Sequence, residues 1–235
     1  MTIVRVQGNA RGIVFSGSSI PVTLSSAPIS GNVLVATIGV LNTAGATSTV
    51  SSITQTGVTW TEQVSHTSAY SQMENSIWFG VVGDGASTSV TVNLSGSAIS
   101  GATANICEYS GILTSGFLDK TSYNDGNGGT ADTGTTDTTT QAEELWIGCI
   151  IGMYGYSQGT PTNGFTLLDG FYELPISQGY LEKIVSSTGA ANAGDSGIAT
   201  YWGGCIATFK AAAAAGPTIK KGSIASMMPM LEELF

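Results

Sequence analysis

The stretch Gly83-Asp-Gly-Ala-Ser87-Thr-Ser-Val-Thr-Val-Asn-Leu94 decides the fold class. Val90, Val92 and Leu94 recur at every second position, with Thr91 and Asn93 between them. That period puts the apolar set on one face of an extended chain and the polar set on the other. Gly83-Asp-Gly85 ahead of it supplies the backbone freedom of a hairpin turn. Upstream, Val58, Trp60, Glu62 and Val64 alternate with Thr59, Thr61 and Gln63 in the same way. Short runs rich in Val, Ile, Thr, Tyr and Trp, broken by Gly, Asn, Asp and Ser, continue from residue 2 to residue 210. No segment before residue 211 carries a sustained helical period. The chain is therefore expected to be all-β and antiparallel.

Four of these runs have counterparts later in the chain, in the same order. Residues 32–39 echo 144–151, 57–62 echo 164–169, 76–82 echo 179–185, and 102–109 echo 201–208. A four-strand unit used twice accounts for the echo, as does the general likeness of antiparallel strands. Two such units would pack face to face as one sandwich, jelly-roll-like rather than a closed barrel. The expected organisation is a single domain over 1–210, with halves of about 1–121 and 142–210 and a polar loop at 122–141. An Ala/Gly/Pro spacer (211–217) and an apolar terminal peptide (218–235) follow.

Composition narrows the function classes. With 42% hydrophobic and 10% charged residues among 235, the chain can bury a large core beneath an uncharged, hydroxyl-rich surface. The net charge of −9 reflects only seven Lys and Arg, which are scattered, so the cation cluster needed to displace counterions from nucleic acid is missing. No apolar run is long enough to span a bilayer as a helix, and the first residues enter a strand without a signal-like segment. These features predict a product made in a host cytoplasm, with no nucleic-acid or membrane partner. Cys107, Cys149 and Cys205 lie in apolar strands without metal-ligand spacing, as small buried hydrophobes, and leave room for one bridge.

Candidate chemistry is sparse. The single histidine, His66, follows a strand and reads as an exposed loop side chain, and no nucleophile elbow is present. Asp125, Asn127 and Asp132, with glycines between them, are the one calcium candidate, but the glutamate that would close such a loop is Thr136. Glu62, Glu74, Glu108, Glu182 and Asp169 lie in or beside strands and could supply the facing carboxylate pair of a polysaccharide hydrolase. Tyr154 and Tyr156, in a Gly-containing loop, are candidates for stacking on a sugar. No cofactor is expected. The tail carries Met227, Met228, Met230, Leu231, Leu234 and Phe235, too many apolar side chains to leave in water, and adaptable methionines suit a partner groove.

Gly57-Val-Thr-Trp-Thr-Glu-Gln-Val, Ile77-Trp-Phe-Gly-Val-Val-Gly, Ala104-Asn-Ile-Cys-Glu-Tyr-Ser-Gly and Gly203-Gly-Cys-Ile-Ala-Thr-Phe-Lys resemble the β-sandwich modules of phage and other viral structural proteins and of some microbial surface proteins. The resemblance covers about residues 30–210, transfers no functional residue, and implies a non-enzymatic role in a particle or at a surface. The expectation is a virion structural protein (capsid, decoration or tail component), contacting copies of itself or other virion proteins through its C-terminal tail. The alternative is a glycan-binding attachment module at the cell surface.

Overall fold

The structure, a computed structural model, describes residues 2–69, 72–154, 158–197 and 200–213, without the Phe171 side chain. The described residues are all strand, turn and loop. The first half contributes β1 (Val4–Val14), β2 (Ser19–Thr23), β3 (Val33–Asn42), β4 (Val50–Thr54), β5 (Val58–Thr67), β6 (Met73–Val82), β7 (Ser89–Leu94) and β8 (Ile99–Ser110). The second contributes β9 (Leu118–Asn127), β10 (Ala131–Asp132), β11 (Glu143–Met153), β12 (Thr166–Glu173), β13 (Ile176–Ser186), β14 (Gly194–Asp195) and β15 (Tyr201–Lys210).

These strands form four antiparallel sheets. Two five-stranded sheets, β1-β8-β3-β6-β5 and β12-β13-β11-β15-β9, face each other. A three-stranded sheet, β2-β7-β4, covers the outer face of the first, and the short β10-β14 ladder with its flanking loops covers the outer face of the second. Pairing is nested: β1 bonds β8, β2 bonds β7 and β3 bonds β6, and again β9 bonds β15, β10 bonds β14 and β11 bonds β13. The large sheets share one strand order, since β1, β8, β3, β6 and β5 run across one as β9, β15, β11, β13 and β12 run across the other. The four echoed segments fall on β3/β11, β5/β12, β6/β13 and β8/β15.

A central strand therefore buries both of its faces. In β3, Val33, Val35 and Leu41 enter the core between the large sheets, whereas Leu34, Ala36, Ile38 and Val40 enter the core beneath β2-β7-β4. The central core also takes Ile77, Phe79 and Tyr109 from one sheet and Leu145, Ile147, Tyr180 and Phe209 from the other. Phe79 stacks on Phe117 with centroids 3.7 Å apart, and each such buried side chain contributes roughly 1.5–3 kcal/mol. Outside the second sheet, Trp146, Ile150, Trp202 and Ile206 pack on Ala131, Phe165, Ala191 and Ala193. At Gly39 the large sheets come so close that a Cβ would collide with Ile151.

Two expectations need correction. Residues 122–127, expected as loop, belong to β9, which pairs Ser122–Asn127 with Tyr201–Ile206. An edge strand tolerates polar residues because one side of its backbone faces away from the sheet. With β9 in the second sheet, the halves divide between Ser110 and Leu118 rather than near residue 121. The antiparallel β-sandwich expected from the sequence is present, and β2, β4 and β7 add a further layer on its outer face. The tail residues Met227, Met228, Met230, Leu231, Leu234 and Phe235, and Tyr156 of the loop pair, lie outside the described residues.

Candidate functional site

Strand register sorts the surface into two ends. At one end, Leu41 of β3 sits opposite Met73 and Gly101, and β11 reaches Met153 opposite Ile176. At the other, Val33 sits opposite Tyr109, and Glu144 lies opposite Lys210. Both chain ends of the described domain are at this second end. Gly111 lies against Thr2, Ala211 bridges Ile112, and Ala212 N donates to Gly111 O at 2.8 Å.

The first end carries a cleft of about 330 Å³ between the β3–β4 loop and the β5–β6 turn. Its lining residues are uncharged, and their methyl and methylene groups face it beside hydroxyls and amides: Asn42, Thr47, Ser48, Thr49, Thr67, Ser68 and Gln72, with Ala46 and Ala69. The Asn42 amide shapes it, donating Nδ2 to Ser48 O (3.0 Å) and Gln72 O (3.1 Å) and accepting from Ser48 N (2.8 Å). Such a wall offers hydroxyls and amides to a neutral, hydroxyl-bearing ligand and no ion to a charged one.

Ser68 joins this cleft to a second cluster. Asp125 of β9 accepts hydrogen bonds from Ser68 Oγ (3.0 Å) and Ala69 N (2.8 Å), and its other oxygen pairs with His66 Nε2 at 3.0 Å. His66 stacks on Tyr123 with centroids 4.3 Å apart, while Tyr123 stays exposed. Burial pushes the Asp125 carboxyl up, but the bonds from His66, Ser68 and Ala69 outweigh it, and the net shift is downward. His66 is thus no loop histidine, as the sequence led us to expect. It lies within β5, half-buried, and links the β5 edge of one large sheet to the β9 edge of the other.

Serine, histidine and aspartate meet here in an order that does not make a nucleophile. In a catalytic triad the histidine bonds the hydroxyl and the carboxylate bonds the histidine. Here both Ser68 and His66 bond the carboxylate, which makes a clamp. Of the carboxylates expected to supply a facing pair, Glu74 and Glu108 are buried, Glu108 accepts from Ile29 N and Asn32 Nδ2, Glu62 accepts from Ser65 Oγ, Glu182 faces Arg5, and Asp169 is held by Arg11 and Asn105. Glu144 is fully buried beside Asp119, with its Oε2 accepting from Trp146 Nε1 at 2.9 Å. Burial, with Asp119 adding to it, pushes the Glu144 carboxyl up to about 7. For Asp119 the burial penalty is outweighed by bonds from Thr140 and by Glu144 and Lys210, which hold it near about 2. Arg11 pairs with Asp169 at 3.1 Å across the β1 and β12 edges, the counterpart of the His66–Asp125 clamp.

The calcium candidates do not converge. Asp125 turns inward to β5, whereas its neighbour Asn124 turns outward and donates Nδ2 to Asp132 Oδ1 at 3.0 Å. Successive strand residues point to opposite faces, so Asp125 and Asp132 are separated by the sheet. Among the described residues no group of three or more His, Cys, Asp or Glu side chains could hold a metal.

Tyr154 is exposed, as expected, in a left-handed conformation (φ 53°) with its N–H donating to Pro175 O at 3.0 Å. The same end carries further exposed apolar side chains that the sequence reading did not choose as ligand contacts. Tyr172 and Leu174 of the β12–β13 hairpin are 49% and 62% exposed, and Phe15 after β1 is 42% exposed. Phe15 and Ile176 approach the same point, Gly101. A Leu-Pro pair at a hairpin tip was the available signal, since a turn normally takes polar residues. Among the described residues no helix is long and apolar enough to cross a membrane. In comparisons with protein-family models, with curated proteins and with solved structures, nothing matches this chain.

Proposed function

We propose that this chain is a non-enzymatic structural subunit of a virion (capsid, decoration or tail component), joining its neighbours end to end. One observation carries the assembly reading: exposed Phe15, Tyr154, Tyr172 and Leu174 share the end away from the chain's exit, while Val4, Ile29 and Ile184 are exposed toward the exit, so both ends offer apolar surface. Strand β11 alone separates these ends by ten residue steps, about 33 Å at ~3.3 Å each. The occupant of the apolar end is the C-terminal segment of a second copy. The chain reaches its last described residue, Ala213, at the end opposite to Tyr154 and Leu174, so a neighbour stacked end to end brings its own apolar end beside it. A contact between unlike surfaces repeats head to tail, as rings and filaments require.

The virion assignment draws on the nested pairing. Strands bonded first to eighth, second to seventh and third to sixth follow a jelly-roll order, which viral capsid and lectin domains use. The second half repeats it in shortened form, supporting a duplicated origin. This is an argument by fold analogy, so its test is direct. Particles purified from the source by density gradient should contain the chain in many stoichiometric copies. A chain found only as free monomer overturns the proposal.

A glycan-binding module is the second reading, favoured by the uncharged hydroxyl-lined cleft, which shares its end with exposed Tyr123 and Tyr154. Aromatic platforms beside hydroxyls and amides are what a sugar ring engages.

A further inference from the structure

The register of the second large sheet sets Cys149 of β11 directly opposite Cys205 of β15. Directly opposed residues in an antiparallel pair have Cα atoms about 4.5 or 5.5 Å apart, depending on their place in the ladder, and point to the same face. Both spacings fall inside the roughly 4.4–6.8 Å window of disulfides. The Cys149 thiol donates to Ile38 O at 3.8 Å and accepts from Gln178 Nε2 at 3.5 Å, and both thiols are fully buried in the core between the large sheets. Their same-face neighbours along β15 are Gly203 and Ala207, so little side-chain bulk stands beside Cys205. Cys107, on β8 of the other sheet, faces Gly8 and Arg5 instead.

We propose that Cys149 and Cys205 are a cross-strand disulfide site, closed when the chain folds in the presence of a disulfide oxidant, with Cys107 remaining a thiol. With glutathione disulfide as the oxidant, a thiolate of one cysteine attacks it, forming a mixed disulfide and releasing one glutathione thiol. The thiolate of the second cysteine then displaces the remaining glutathione, and two glutathione thiols account for both electrons and both protons. Because neither sulfur meets solvent in the folded chain, the exchange belongs to folding, before the two large sheets close over the pair. The bridge would staple the two central strands of the second sheet and close a long loop containing β12–β14. Loop closure of that length is expected to raise Tm by roughly 10 °C.

The test refolds the full chain from denaturant with reduced and oxidised glutathione, traps free thiols with an alkylating agent, and maps peptides without reduction. The expected result is a monomer lighter by two thiol hydrogens, a Cys149 peptide linked to a Cys205 peptide, and an alkylated Cys107. Chain folded first under reducing conditions and then given the same oxidant should keep three thiols. Cys107→Ala should still form the bridge, and the wild-type thiol count needs no variant. Linkage through Cys107, linkage only between molecules, or three alkylated cysteines in the refolded protein would overturn the proposal.

Discussion

Glu74 offers the sharpest test of how this fold treats a buried charge. The side chain lies on β6, 2% exposed, and Oε2 accepts a long hydrogen bond from Val50 N at 3.3 Å. Burial pushes the carboxyl up to about 8, opposed in part by Val50 and reinforced by Glu62. In the unfolded chain the same group ionises near 4.5. Folding therefore takes up a proton between these values, so stability is complete below pH 4.5 and falls as pH rises toward 8. At 1.36 kcal/mol per pH unit, the loss accumulated by pH 7 is about 3 kcal/mol. Glu74→Gln keeps the shape and removes the titration. Urea denaturation at pH 5 and pH 7 should show the variant gaining roughly 2–3 kcal/mol over wild type between the two conditions. Glu144 titrates in the same window in both proteins and cancels from the difference. Parallel pH profiles for the two would refute the account of Glu74 as a carboxyl kept neutral by its surroundings.

Asp125→Asn should cost about 1–3 kcal/mol at pH 6 by weakening the clamp between the sheet edges, measured by chemical denaturation. Because the Asp125 carboxyl is shifted downward, its contribution is present above pH 3.8 and lost on acidification, so the wild-type advantage should shrink toward pH 3. Gly39→Ala should lower stability by about 1–3 kcal/mol, since Ile151 would have to move, and an unchanged Tm would mean the large sheets are further apart than described. Leu174→Asp should leave Tm within a few degrees while weakening self-association in sedimentation. On a glycan array, reproducible binding abolished by Tyr154→Ala would favour the attachment-module reading over the assembly one.

Much of the β architecture is legible in single strands. The alternation of β7 is clean because one face packs under the first large sheet and the other meets solvent. The layering is harder to see. β3 is apolar almost without interruption, the pattern of a strand buried on both faces, and it signals a layer on each side. β9 is hidden because an edge strand with Ser, Asn, Asp and Gly has the composition of a loop. The clamp is hidden for a different reason. His66 and Asp125 lie far apart in sequence and in different sheets, and only the folded edges bring them together. Phe15, Tyr172 and Leu174 look like ordinary strand-end residues until the hairpins deliver them to one end.

The assembly claim rests most directly on one comparison, the sedimentation of the full chain against the chain ending at Ala213, across a concentration series. The account predicts that both fold with the same Tm, that the full chain self-associates into larger species as concentration rises, and that the truncated chain stays monomeric. Equal association by the two would contradict docking of the C-terminal segment on a neighbour's apolar end.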